Sequence, residues 1–164
     1  MPNPSSGAKI VAAVRNAPGN RVKVAVSDID GVLRGKYLHK EKFYAAAESG
    51  FGFCDVVFGW DMMDVTYDNT TLTGWHKGFP DALARIDLAT HRTVPWDDNG
   101  PFFLGEFVET RGGKEQPLPI CPRQVLKRVL RRAEKLGFAP MCGMEFEWFN
   151  FLETPQSWAD KKGV

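Results

Sequence analysis

Two pairs of carboxylates in this sequence are spaced so that chemistry could follow. Towards the carboxyl end, Gly143-Met144-Glu145-Phe146-Glu147-Trp148-Phe149 alternates acidic with apolar side chains. On an extended strand, alternate residues share a face, so Glu145 and Glu147 would stand together with α-carbons about 6.6 Å apart. Met144, Phe146 and Trp148 would then occupy the other face, and their burial would fix the register. Hard oxygen ligands on a rigid strand suit Mg²⁺ or Mn²⁺. The same alternation also describes an ordinary strand with one solvated polar face and no ion.

The second pair is Asp28-Ile29-Asp30-Gly31, which follows the run Val24-Ala25-Val26-Ser27. Two carboxylates at the end of a strand can hold Mg²⁺ while one attacks a phosphoryl group and the other serves as acid and base. This resembles the first motif of haloacid dehalogenase-type phosphatases, with Asp28 as nucleophile and Asp30 as acid/base. Such a fold requires repeated strand-helix units, whereas Arg34-Gly35-Lys36-Tyr37 continues an extended run. A later pair, Asp97-Asp98, lies between Pro95-Trp96 and Asn99-Gly100, which is turn chemistry. The competing reading makes 28–31 a hairpin turn whose side chains cap local backbone N–H groups.

The elements that must position these residues follow from periodicity. Residues 1–20, rich in Pro, Gly, Ser and Asn, predict an irregular arm with a short helix over 8–16. Val22, Val24 and Val26 alternate with less apolar residues and predict a strand, paired as a hairpin with a second run over 32–38. Residues 40–49 form a helix in this reading, stopped by Gly50, and a strand follows over 53–58. The stretch 59–80 mixes Asp, His and Trp with Gly, Asn and Thr without sustained period and is expected to be a long loop. Strands are expected over 82–88 and 102–108, with a turn at Arg111-Gly112-Gly113-Lys114. Pro122 opens the clearest helix, with Val125, Val129, Ala133 and Leu136 on one stripe and Gly137 past its end. Its basic face, Arg123, Lys127, Arg128, Arg131, Arg132 and Lys135, is expected to be solvated or to meet another subunit. The pattern is that of an α+β fold.

The 164 residues carry 21 basic and 20 acidic groups, a net charge of +1 that supplies no field for collecting nucleic acid or an anionic membrane. A hydrophobic fraction of 43% and an aromatic fraction of 12% describe a folded chain. No apolar run reaches membrane-spanning length, and the run over 10–14 is too short for a secretory signal, so a cytoplasmic setting is expected. Cys54, Cys121 and Cys142, odd in number and in apolar context, read as buried free thiols. His39, His76 and His91 read as structural or surface residues.

Five segments in order resemble the glutamine synthetase family, with the best match to its glutamate-polyamine ligase-like branch. They are Asp28-Ile29-Asp30-Gly31-Val32-Leu33-Arg34-Gly35-Lys36, Val57-Phe58-Gly59-Trp60-Asp61, Pro80-Asp81 with Arg85-Ile86-Asp87, Pro122-Arg123-Gln124-Val125-Leu126, and Glu145-Phe146-Glu147-Trp148-Phe149. The resemblance covers about residues 22–154. It implies an amino-terminal β-grasp domain over 21–113, after the arm of 1–20, and the incomplete start of a catalytic domain over 114–164. It implies ATP and Mg²⁺ or Mn²⁺ as cofactors, with Glu145 and Glu147 as metal ligands. The implied reaction passes a phosphoryl group to the glutamate side chain, and ammonia or an amine attacks the acyl phosphate. The implied assembly is a homo-oligomer with active sites between subunits, in which Asp61 or Asp64 from the β-grasp loop reaches the neighbouring amine pocket. Residues 59–64, Gly-Trp-Asp-Met-Met-Asp, depart from the loop of true glutamine synthetases, which leaves open whether the acceptor is ammonia or a larger amine. Family members are much longer, so the sequence reads as a truncated chain that is inactive in isolation, its parent being the enzyme; a stand-alone binding or assembly module is the alternative.

Overall fold

The computed structural model describes residues 4–162. Helix α1, Pro4–Asn16, contains the expected helix but starts a turn earlier, because proline in a first helical turn forfeits only an N–H that would be unpaired there. Strand β1, Arg21–Ser27, and strand β2, Leu33–His39, form the expected antiparallel hairpin, in register from Arg21 opposite His39 to Ser27 opposite Leu33. Helix α2, Lys40–Ser49, follows without a loop. The His39 side chain accepts from the Glu41 N–H at its start, and Gly50, at φ 83°, ends it in a conformation that side chains with a Cβ resist.

The strand expected over 53–58 is corrected. Strand β3 is Phe51–Cys54, and Asp55–Phe58 winds into a single 3₁₀ turn. Pairing to the neighbouring strand ends at Cys54 opposite Asp81, and the next amide, of Asp55, turns to the Pro80 carbonyl. Strands β4, Asp81–Val94, and β5, Gly100–Arg111, extend well beyond the expected 82–88 and 102–108. The outer part of β4, 89–94, is mostly polar and carries no burial signal in the sequence, yet it pairs out to Val94 opposite Gly100. The Asp97-Asp98-Asn99-Gly100 turn closes that hairpin, with Asp98 and Asn99 both at φ 52°. The turn at 111–114 joins β5 to strand β6, Lys114–Pro117, so the sheet continues past residue 113.

The strand order is β2-β1-β5-β4-β3, with β6 added to β5. Among the described residues, β1 and β5 are the one pair that runs parallel, which makes a mixed sheet. Helices α1 and α2 pack on one face, where Val22, Val24 and Val26 of β1 meet Phe43 and Ala46 of α2 and Phe103 and Phe107 of β5. The Phe43 and Phe103 rings lie 4.9 Å apart. Each such ring contributes about 2 to 3 kcal/mol through burial.

Helix α3, Pro122–Lys135, has the expected limits but the opposite orientation. Val125, Val129 and Leu136 are exposed, Val129 at 58%, while Gln124 is buried. Arg123, Gln124 and Lys127 face the sheet because Asp87 and Glu106 stand on the strand side opposite the apolar core and need partners. Residues 138–154 form neither helix nor strand, and helix α4, Pro155–Asp160, opens on a capping box made by Thr154 and Ser157. Among the described residues, no helix is long and apolar enough to cross a membrane.

Candidate functional site

The Asp28 to Val32 turn positions the first cluster. Asp28 is wholly buried. Its Oδ1 accepts from the backbone N–H of Asp30 (3.0 Å) and of Val32 (2.8 Å), and its Oδ2 accepts from Arg34 Nε at 2.7 Å. The phosphatase reading is thereby corrected: a nucleophile must face substrate, whereas this carboxylate is enclosed by its own turn and a guanidinium. Asp30 is exposed and gives the cluster its amide, and the sheet is mixed rather than a wound parallel one.

Arg34 carries the hairpin to the long loop. Its Nη1 pairs with Asp64 Oδ1 at 2.5 Å, its Nη2 donates to the Asp61 carbonyl at 3.3 Å, and its guanidinium lies 4.7 Å from the centroid of the Trp60 ring. The loop is ordered by its own hydrogen bonds. Asp61 Oδ1 accepts from Met63 N–H (2.8 Å) and Val65 N–H (3.0 Å), Trp60 bridges to Thr66, and Tyr67 N–H donates to the Gly59 carbonyl. Deeper in the loop, buried Thr73 donates to Asp55 Oδ1 at 2.6 Å. Desolvation, joined by the negative charges of Asp30, Asp61 and Asp28, pushes the Tyr67 phenol above its ordinary value. The second carboxylate oxygens of Asp61 and Asp64 have no hydrogen-bond partner among the described residues, and the Asp64 side chain is 59% exposed. Two carboxylates on a staked loop can attract and orient a cation.

Glu145 and Glu147 are placed apart from this cluster's hydrogen bonds, on the exposed 138–154 segment. The strand expected there is not formed, and Met144, Phe146 and Trp148 are exposed, Trp148 at 70%. A strand needs a neighbour to take its N–H and C=O groups, and no described strand pairs with this one. The described residues contain no group of three or more His, Cys, Asp or Glu that could hold a metal ion. Two carboxylates supply only part of the six oxygens Mg²⁺ takes, so waters or ligands from elsewhere would have to complete the shell.

His39 caps α2, His76 approaches the Thr71 carbonyl at 3.4 Å, and His91 stacks on Phe103. Cys121 is buried and Cys54 partly so, but Cys142 is exposed, contrary to its apolar context in sequence. Sequence reasoning placed Arg34 in the extended run after the turn but gave it no role at a site. Its only signal was an arginine shortly after an Asp-x-Asp-Gly turn, within reach of a carboxylate that a tight turn would enclose.

No family model matches the chain. It is 52% identical over 140 residues to Type-1 glutamine synthetase 2 of Dictyostelium discoideum, covering 85% of this chain and 26% of that protein. It is 35% identical over 129 residues to a glutamate–isopropylamine ligase of a Pseudomonas species, covering 78% of this chain and 28% of that protein. A crystal structure of a novel glutamine synthase homolog shares the fold, with a TM-score of 0.58 at 24% identity, over 73% of this chain and 28% of that one. The chain thus spans about a quarter of the length of the curated relatives it matches. Over most of its length, this chain belongs to the glutamine synthetase family.

Proposed function

We propose that this chain is the amino-terminal part of an ATP-dependent ligase that joins the side-chain carboxylate of glutamate to ammonia or an amine through a γ-glutamyl phosphate. The observation that carries this reading is the 52% identity over 140 residues to a type-1 glutamine synthetase, joined by 35% identity to a ligase named for an amine acceptor. Residues 21–113, which hold α2 and strands β1 to β5, are read as a β-grasp domain that follows an arm over 1–20, with 114–164 as the beginning of a catalytic domain. In a homo-oligomer, Asp61 and Asp64 would face the amine of a neighbouring active site. Their free oxygens would hold the ammonium form of the acceptor, and a cytoplasmic setting suits ATP and glutamate as substrates. Glu145 and Glu147 are proposed as two of the carboxylates around Mg²⁺ or Mn²⁺, which would neutralise phosphate charge; the remaining ligands come from outside this chain.

The test is γ-glutamyl hydroxamate formation from glutamate, ATP and hydroxylamine. A polypeptide extending this chain to the length of its relatives should form hydroxamate and lose about a hundredfold or more in rate on Glu145→Gln or Glu147→Gln. The 164-residue chain alone should form none. Full activity in both variants would remove the proposed role of these glutamates, and no turnover at any length would favour a binding or assembly module.

A further inference from the structure

We propose that Arg34 is the positioning residue of the amine pocket, a clamp that fixes residues 60–66 to the β1–β2 hairpin and so sets where Asp61 and Asp64 stand. Its role towards an amine rests on the reading above; the clamp itself rests on geometry.

One guanidinium reaches three groups with its three nitrogens: Nε to buried Asp28, Nη1 to Asp64, and Nη2 to the Asp61 carbonyl. Its face is covered by Trp60, 4.7 Å away. A planar fork with fixed donor directions suits this task, and a lysine ammonium, with a single nitrogen, cannot span the same three acceptors and stack at once. The fixed end is rigid, because Asp28 is held by two amides of its own turn. The held end turns sharply: Asp64 sits at φ 64°, a left-handed conformation that aspartate and asparagine enter more readily than other side chains with a Cβ. Within the loop, Asp61 caps Met63 and Val65 and so shapes the tip locally. Arg34 adds what those local bonds do not, a tie between that tip and the sheet. It acts through Asp61 and Asp64 and is assigned no contact with the amine.

Two measurements separate the clamp from the pocket. The first is hydrogen exchange on the 164-residue chain, comparing wild type with Asp64→Asn and Arg34→Lys. Asp64→Asn leaves the Asp28–Arg34 pair intact, and asparagine tolerates the left-handed backbone, so this variant folds even if Arg34→Lys does not. Loss of one charge-assisted bond should speed exchange of the Met63, Asp64 and Val65 amides about tenfold while Val24 and Phe103 keep their protection. Wild-type protection of those loop amides in Asp64→Asn, or equal loss across the sheet, overturns the clamp.

The second measurement uses the longer polypeptide in which ligase activity is found. Arg34→Lys should raise KM for the amine about tenfold while KM for glutamate and ATP stays within about twofold. A fall in kcat with every KM unchanged assigns Arg34 to folding alone and overturns its positioning role. A wild-type polypeptide without ligase activity sinks the pocket reading, whereas the exchange result still decides whether the clamp exists.

Discussion

A carboxylate without access to water must be satisfied by its neighbours, and Asp28 is: two turn amides on one oxygen and Arg34 on the other. Asp28→Asn keeps an oxygen for the turn but presents an NH₂ group to Arg34 Nε, donor against donor. Breaking one side of a buried ion pair in this way should cost about 3 kcal/mol, read as a lower urea midpoint. An unchanged midpoint would show that Arg34 finds another partner. Wild-type chain should leave an aryl phosphate untouched, since the carboxylate that would attack it is enclosed. The turn was legible in the sequence because every partner of Asp28 lies within six residues of it. The link from Arg34 to Asp61 and Asp64 was not, because those contacts span about thirty residues and no periodicity reports them.

Elements were legible where their signals were local. The β1–β2 hairpin has alternating valines and a turn, and α2 has helix formers and a glycine stop. The alternation at Glu145 and Glu147 reads as a strand, yet none forms in this chain, because alternation specifies a face while pairing requires a partner elsewhere. Helix α3 shows the further limit: its apolar stripe fixed its length, but polar contacts decided which side meets the sheet. Arg123 bonds Asp87 and Glu106 at 2.9 and 3.0 Å, Lys127 pairs with both acids, and Gln124 donates to Glu106 at 2.8 Å. At Asp87, burial works to raise the carboxyl, but Lys127, the Ala89 amide and Arg123 outweigh it and hold the group below its ordinary value. A carboxylate with a depressed folded pKa stabilises the fold fully above its unfolded value and loses that contribution as pH falls through the folded one. The docking of α3 should therefore loosen below about pH 4, visible as faster amide exchange in α3 before β1. Asp87→Asn should loosen α3 at neutral pH and flatten this acid dependence; an α3 equally protected at pH 6 and pH 3 in wild type would contradict the argument.

At the scale of the whole molecule, stability and apolar exposure sit in different places. The core lies between the sheet and the two amino-terminal helices, whereas Leu126, Val129, Leu136, Phe138, Met141, Phe146, Trp148, Phe149 and Leu152 are exposed. No residue over 138–162 is buried. Side chains that bury nothing contribute little to the free energy of folding, but aromatic and aliphatic groups exposed in series bind dyes and one another. Removal of residues 138–164 should therefore move the urea midpoint by no more than about 0.5 kcal/mol in stability. The same deletion should cut 8-anilinonaphthalene-1-sulfonate fluorescence severalfold and reduce concentration-dependent association in sedimentation. Large destabilisation on deletion would mean that the segment folds back onto the sheet in solution. Unchanged dye binding would locate the sticky surface on the exposed stripe of α3 instead, and Leu126→Glu with Val129→Glu in the shortened chain would then be the variant that abolishes it.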